Sequence, residues 1–218
     1  HGDYFCLSVA GYPEGHPDTI VHVGDDESKL SASEQTRCRI TEENGQKKVY
    51  VCPDSAFKLE MDYLKKKVDA GADAIITQMF FDANTYGAFL KACRKHGINV
   101  PVIPGIMLVQ AAGGFRKMTA MCKTRVPAAV KESVDAKADN DVALKAYGVD
   151  LGVEISHQLL AVGAPGLHFY TLNLDKTTLA IAKRVADDRA SSRTARDWLK
   201  AAALAAGAAV LVALLRRK

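Results

Sequence analysis

The amino-acid sequence predicts an α/β fold in which βαβ units build a parallel sheet or barrel. Three observations carry this. Four short runs, 4–10 (YFCLSVA), 74–81 (AIITQMFF), 100–106 (VPVIPGI) and 167–172 (LHFYTL), are rich in β-branched and aromatic residues and too short for helices. Their near-continuous apolarity suits strands covered on both faces. Helical patterns lie between them, and strict alternation of the two implies right-handed crossovers.

Taken in order, the first run leads into Ala10-Gly11-Tyr12-Pro13-Glu14-Gly15-His16-Pro17. Gly11 and Gly15 permit sharp turns, and Pro13 and Pro17 stiffen the loop. The loop is expected to display Tyr12, Glu14 and His16 at a strand end, where α/β folds place their sites. Taken alone, His16 is more often a plain loop histidine than a ligand.

Residues 17–55 interrupt the alternation. Ser31-Ala32-Ser33-Glu34 has capping-box spacing and predicts a short helix. Asn44-Gly45 between two alternating arms predicts a type I′ hairpin. In that register Glu42 faces Lys47, Ile40 faces Val49 and Cys38 faces Val51. Cys52 then points away from Cys38, and no disulfide between them is expected. The stretch reads as a surface insertion without a catalytic role, because loops tolerate growth at small entropic cost.

Phe57, Met61, Leu64 and Val68 form an apolar helix face, with Gly71 as its stop. Glu60, Tyr63 and Lys67 share another face of that helix, with Lys66 alongside. The Lys65–Lys67 run reads either as a solvated face or as charge that neutralises a pyrophosphate near a strand end. Gln78 is an amide inside an apolar run. It either bonds to neighbouring backbone or reads the polar edge of a heterocycle. Asp82 is placed to cap a helix through Lys95, with Gly97 as stop. Phe115–Lys123, Ala128–Ala136 and Asn140–Val162 read as further helices, and Asp175 as the cap of one reaching about Val185.

The tail differs. Asp187 to Asp197 reads as a linker or helix end, and Ala201 to Leu215 is uncharged ahead of Arg216-Arg217-Lys218. As a helix the apolar run spans about 22 Å, short of the roughly 30 Å hydrocarbon core. A packed or exposed helix is therefore favoured over a membrane anchor.

Composition excludes several classes. Hydrophobic residues make up 48% and charged residues 25%, a globular balance. The net charge of +4 is small, and no basic stripe is interleaved with aromatics, which argues against nucleic-acid binding. Five scattered cysteines with no C-x-x-C pair favour free thiols in a reducing compartment, hence the cytoplasm, over a disulfide scaffold or zinc site. The chain opens on His1 without a signal-peptide pattern, and its natural start is expected upstream. Neither G-x-G-x-x-G nor a Walker loop is present, so a dinucleotide would be held in another way. No lysine sits inside a strand run, which argues against Schiff-base barrel chemistry.

Six segments, AGYPEGHP (10–17), LKKKVDAGADAIITQMFFD (64–82), VPVIPGIM (100–107), MTAMCKTRVP (118–127), DNDVALKAYGVDLG (139–152) and GLHFYTLNLDK (166–176), occur in an order that resembles the methylenetetrahydrofolate reductase family, its eukaryotic members in particular. The resemblance implies a (β/α)8 TIM barrel. Residues 1–186 would form its carboxyl half, the last four β/α units, with the hairpin-containing insertion at 17–55. Residues 187–218 would follow as a linker and Ala-rich tail helix. It implies reduction of 5,10-methylenetetrahydrofolate to 5-methyltetrahydrofolate, with hydride passing from NAD(P)H through FAD. Carried over by motif, Ala10, Tyr12 and His16 would contact the flavin cofactor. Glu60, Tyr63, Lys66 and Lys67 would lie against its ribityl and phosphate region, Glu60 standing where aspartate is common. Gln78 would hold the folate pterin near the nicotinamide.

Departures from the family pattern also matter. Leu174 stands where some members carry a substrate-binding arginine, and Gly113 and Gly114 stand where many are bulkier. The general-acid glutamate is expected upstream of His1, so no catalytic acid is assigned within the chain, and the fragment alone is expected to be inactive. The full-length protein is expected to be a homo-oligomer. A half barrel would leave strand edges unpaired near Tyr4–Ala10 and Leu167–Leu172. The alternative is a non-catalytic remnant or binding module, attached to a membrane through 198–218.

Overall fold

The computed structural model describes residues 4–192 of the 218-residue chain. Strand β1 (Ser8–Gly11) is followed by a segment containing β2 (Val21–Gly24), the short helix α1 (Ala32–Gln35) and the hairpin β3 (Arg39–Glu43) and β4 (Gln46–Val51). Then come α2 (Asp54–Asp69), β5 (Ala74–Thr77), α3 (Ala83–Lys95), β6 (Val102–Ile103) and β7 (Gly105–Met107). Helices α4 (Ala112–Met121), α5 (Ala128–Ala136) and α6 (Asp141–Val162) precede β8 (His168–Tyr170). A last helix, α7, covers 175–192 in its described part.

The βαβ expectation holds. Strand β1 pairs in parallel with β5, β5 with β6, and β7 with β8. Among the described residues β1 and β6 flank β5 in one parallel sheet, and β7 and β8 form a second. Ile75, Phe80, Phe89, Ile106, Leu144, Leu159 and Ile181 belong to one buried cluster between these strands and the helices.

The strands are shorter than the apolar runs, each for a physical reason. Tyr4, Phe5 and Leu7 precede β1 and are exposed, so the first strand occupies only the end of its run. The run at 74–81 leaves the sheet after Thr77. Its Phe80 stacks on Tyr86 with ring centroids 6.1 Å apart, and Phe81 meets Phe115 edge-on at 5.3 Å. The run at 100–106 breaks at Pro104, which has no N–H to give a ladder. Its carbonyl instead accepts from the His168 N–H at 3.0 Å.

Thr77 stitches the two parallel groups together. Its hydroxyl accepts from the Gly105 N–H at 2.9 Å, and its carbonyl accepts from the Tyr170 hydroxyl at 2.8 Å. A Cβ at residue 105 would run into that same carbonyl and the Tyr170 ring.

This segment between β1 and α2 folds as the antiparallel sheet β2-β4-β3. Glu42 pairs with Lys47 and Ile40 with Val49, the register that Asn44-Gly45 predicts, and both turn residues have positive φ. Cys38 and Cys52 are separate free thiols. Ser31 and Glu34 complete the expected capping box on α1. The third strand, β2, is not anticipated by the sequence pattern, because Val21-His22-Val23 is too short to display alternation. Asp82 caps α3 with its side chain as expected, and Asn140, read as the first residue of its helix, is the side-chain cap of α6. Helix α4 starts at Ala112, ahead of the predicted Phe115. Asp175 is the first helical residue of α7 and not its cap, and 187–192 continue that helix, the helix-end alternative of the two readings. The apolar run 201–215 lies outside the described residues, among which no helix is long and apolar enough to cross a membrane.

Replacing Gly105 with alanine should destabilise the fold by at least about 1–3 kcal/mol, since rigid backbone blocks the new methyl group. Urea unfolding of Gly105→Ala against the parent chain measures it.

Candidate functional site

Helix α2 has a buried side, where Met61 and Leu64 pack into the core. Glu60, Tyr63 and Lys67 flank that side and look along the end of β1. A cleft of about 370 Å³ opens there, lined by Ala10, Gly11, Tyr12, His16, Thr19, Glu60, Met61, Tyr63, Leu64, Lys67 and Phe89.

The loop after β1 is tied down on α2. The His16 N–H donates to both carboxylate oxygens of Glu60 at 2.9 Å, and the Thr19 hydroxyl donates to Oε1 at 2.5 Å. Gly15, at φ +94°, passes so close to Cys52 that a Cβ would collide with it. The His16 Nδ1 accepts from the Asp18 N–H at 3.2 Å, which places the ring proton on Nε2 when the ring is neutral. The Tyr12 and His16 rings meet edge to face at 4.8 Å. Across the cleft, the Lys67 ammonium donates to the Ala10 carbonyl at 2.7 Å and lies 5.3 Å from the centre of the Tyr63 ring. Burial lowers the Lys67 pKa, and the nearby Glu60 charge opposes that shift.

Of the residues singled out from sequence, Ala10, Tyr12, His16, Glu60, Tyr63 and Lys67 therefore share one cleft. Lys66 does not join them; it is exposed, on the side of α2 that carries Asp62. Gln78 follows β5 directly, and its N–H donates to the Gly11 carbonyl at 2.7 Å. Its side-chain Oε1 accepts from the Met79 N–H at 2.9 Å, so the backbone-bonding alternative is the one realised. Thr19 and Phe89 also line the cleft, although sequence reasoning did not single them out. Phe89 is one apolar residue of an ordinary helix face. Thr19 lies in the insertion, which thus reaches the cleft despite reading as surface growth.

Glu14 contradicts the expectation of display. It is 7% exposed and points beneath the loop. Its Oε2 accepts from the Arg125 N–H at 2.8 Å, while Oε1 is buried with no hydrogen-bond partner. The Arg125 guanidinium pairs with Asp82, the cap of α3, at 2.9 Å. Burial pushes the Glu14 carboxyl up to about 8 against the pull of Arg125 and Arg39.

A larger groove of about 1000 Å³ runs between the β3–β4 hairpin and helices α4 and α5, but none of the cofactor- or substrate-binding candidates lines it. Arg116 and Lys131 on its wall are both paired with Asp135. Among the described residues no cluster of three or more His, Cys, Asp or Glu is arranged to hold a metal ion.

Thr19→Val should cost about 1.5–3 kcal/mol, the range for a hydrogen bond to a charged group, as read by urea unfolding. Glu14 gives a pH signature. Its folded pKa is raised, so the unfolded chain ionises first as pH rises. Relative to Glu14→Gln, the parent chain should lose stability as pH climbs from 4.5 to about 8 and level off beyond. Denaturant midpoints across that range check the sign.

The family model for methylenetetrahydrofolate reductase matches residues 1–186. A "Probable methylenetetrahydrofolate reductase (NADH)" of Oryza sativa subsp. japonica is 41% identical over 181 residues, covering 83% of this chain and 26% of the rice protein. "Methylenetetrahydrofolate reductase (NADH) 1" of Arabidopsis thaliana gives the same identity and coverage. The "5,10-methylenetetrahydrofolate reductase" of Escherichia coli is 30% identical over 177 residues, covering 81% of this chain and 48% of the bacterial protein. The chain thus spans about a quarter of the length of the plant relatives it matches. Matched by the family model from His1 to Ala186, the chain belongs to the methylenetetrahydrofolate reductase family.

Proposed function

We propose that the cleft between β1 and α2 holds part of FAD, and that the chain supplies one segment of a (β/α)8 barrel reductase acting on 5,10-methylenetetrahydrofolate with NAD(P)H as hydride source. The observation that carries this reading is convergence. Ala10, Tyr12 and His16 meet Glu60, Tyr63 and Lys67 around one hollow, although the whole insertion separates the two groups in sequence. The names of the plant and bacterial relatives support the folate substrate, and those of the plant relatives support NADH as reductant.

The residues present fit such a group. Lys67 offers a partly desolvated ammonium, and a cation of that kind suits a phosphate oxygen. The Tyr12 and His16 rings, locked edge to face, offer a rigid rim. A hollow of about 370 Å³ accommodates a portion of a dinucleotide, and the remainder would lie outside it. When bound, the flavin supplies two-electron hydride transfer. Glu60 fixes the rim loop through His16 and Thr19 and so acts behind the contact surface. Gln78, next to Gly11 at the sheet end, reaches a pterin only by turning its amide away from Met79. Protonation of the folate ring nitrogen is assigned to a group outside residues 1–218. A cytoplasmic homo-oligomer belongs to the same reading.

A chimaera in which residues 1–186 replace the matching segment of the Escherichia coli relative tests the whole reading. It should retain flavin and oxidise NADH with a folate or quinone acceptor, and a colourless, inactive but folded chimaera defeats it. Within the chimaera, Lys67→Ala should weaken FAD binding about tenfold or more through loss of a charge-assisted contact. Flavin release on dilution reads this out.

A further inference from the structure

The buried carboxyl of Glu14 has no place in the cofactor reading so far, yet it sits under the loop that forms the cleft rim. Gly11 to Pro17 is held from above by Glu60, through the His16 N–H. From below it is held by Glu14 Oε2, which accepts from the Arg125 N–H in the turn between α4 and α5. This second tie spans 111 residues of sequence and carries the loop's position to the α3 cap through Arg125 and Asp82.

The other carboxyl oxygen of Glu14 has no partner and no water-exposed surface. A charge there would be poorly solvated, so burial holds the group neutral. The charged and titratable groups facing it are Arg125 from the α4–α5 turn, Arg39 and the adjacent Cys38 at the start of β3, and Asp82 at the head of α3. The two arginines favour ionisation, Asp82 opposes it, and burial outweighs the arginines.

We propose that Glu14 is a positioning residue for the cleft: in its neutral form it pins the Tyr12–His16 rim to the α4–α5 turn, and its ionisation loosens that rim and weakens ligand retention. The chemistry balances simply. One proton leaves the carboxyl for solvent, and the carboxylate then gains by moving toward water, which the loop must open to admit. The ligand arm of this inference rests on the cofactor reading above; the loop arm does not.

Three measurements test it, the first two on the full chain. Hydrogen exchange at 11–19, corrected for intrinsic rates, should speed up at least about threefold more in the parent chain than in Glu14→Gln between about pH 7 and about pH 9.5. Equal acceleration in both overturns the proposal. A carbon-13 titration of the glutamate carboxyls in the parent chain should find Glu14 neutral at about pH 7, and a carboxylate there overturns it without any variant having to fold. Finally, in the Escherichia coli chimaera the FAD dissociation constant should rise by up to about tenfold per pH unit above the Glu14 transition, while that of the same chimaera carrying Glu14→Gln stays level. Parallel pH profiles for the two overturn the ligand arm. If FAD binds neither form of the chimaera at any pH, the cofactor reading fails, and exchange and titration still decide the role of Glu14.

Discussion

Gly11 and Thr77 stand side by side at the end of the β1–β5 ladder, and most of the molecule's geometry follows from that register. It delivers the loop after β1 and the residues after β5 to the same end of the sheet, with the Gln78 N–H closing the ladder on the Gly11 carbonyl. It also presents Thr77 to Gly105 and Tyr170, which joins the β7–β8 pair to the rest. Since side chains alternate faces along a strand, a slip of one residue would exchange the buried Thr77 for Gln78 and undo both connections.

Helix α2 then turns this sheet end into a cleft. Its apolar residues bury against the strands, and the residues a turn apart beside them are left to meet the loop. Glu60 is the pivot. A carboxylate accepting one backbone N–H and one hydroxyl can hold a loop in place without blocking the hollow in front of it. The Lys67 ammonium, on the same helix face, faces that loop from the opposite wall.

How much of this was legible in the sequence depends on the range of the interaction. Local signals read true: the Asn44-Gly45 turn gives its register, Ser31 and Glu34 their box, and Asp82 its cap. Helical spacing alone placed Glu60, Tyr63 and Lys67 on one face, and their motif resemblance joined them to Ala10, Tyr12 and His16. Strand ends were overextended, because an apolar residue packs equally well in a strand or in the irregular stretch behind it, as Phe80 and Phe81 do. Glu14 looks like a surface residue because it stands in a loop between two prolines, and its burial depends on the distant Arg125 N–H. Thr19 escaped notice for the same reason: its partner, Glu60, lies beyond the insertion. Lys66 shows the converse limit, since adjacency to Lys67 says nothing about which way a helix turns it.

The break at Pro104 has a consequence for how the chain can vary. The residues on its two sides belong to different ladders, Ile103 to β5 and Gly105 to β8, with a single imino acid between them. Adding or deleting one residue there would rotate every following side chain to the opposite face, carrying Ile106 out of the interior. The peptide between 102 and 107 is therefore locked in length. The connection between β1 and α2, whose ends need only meet Glu60 and Cys52, leaves room for an entire extra sheet.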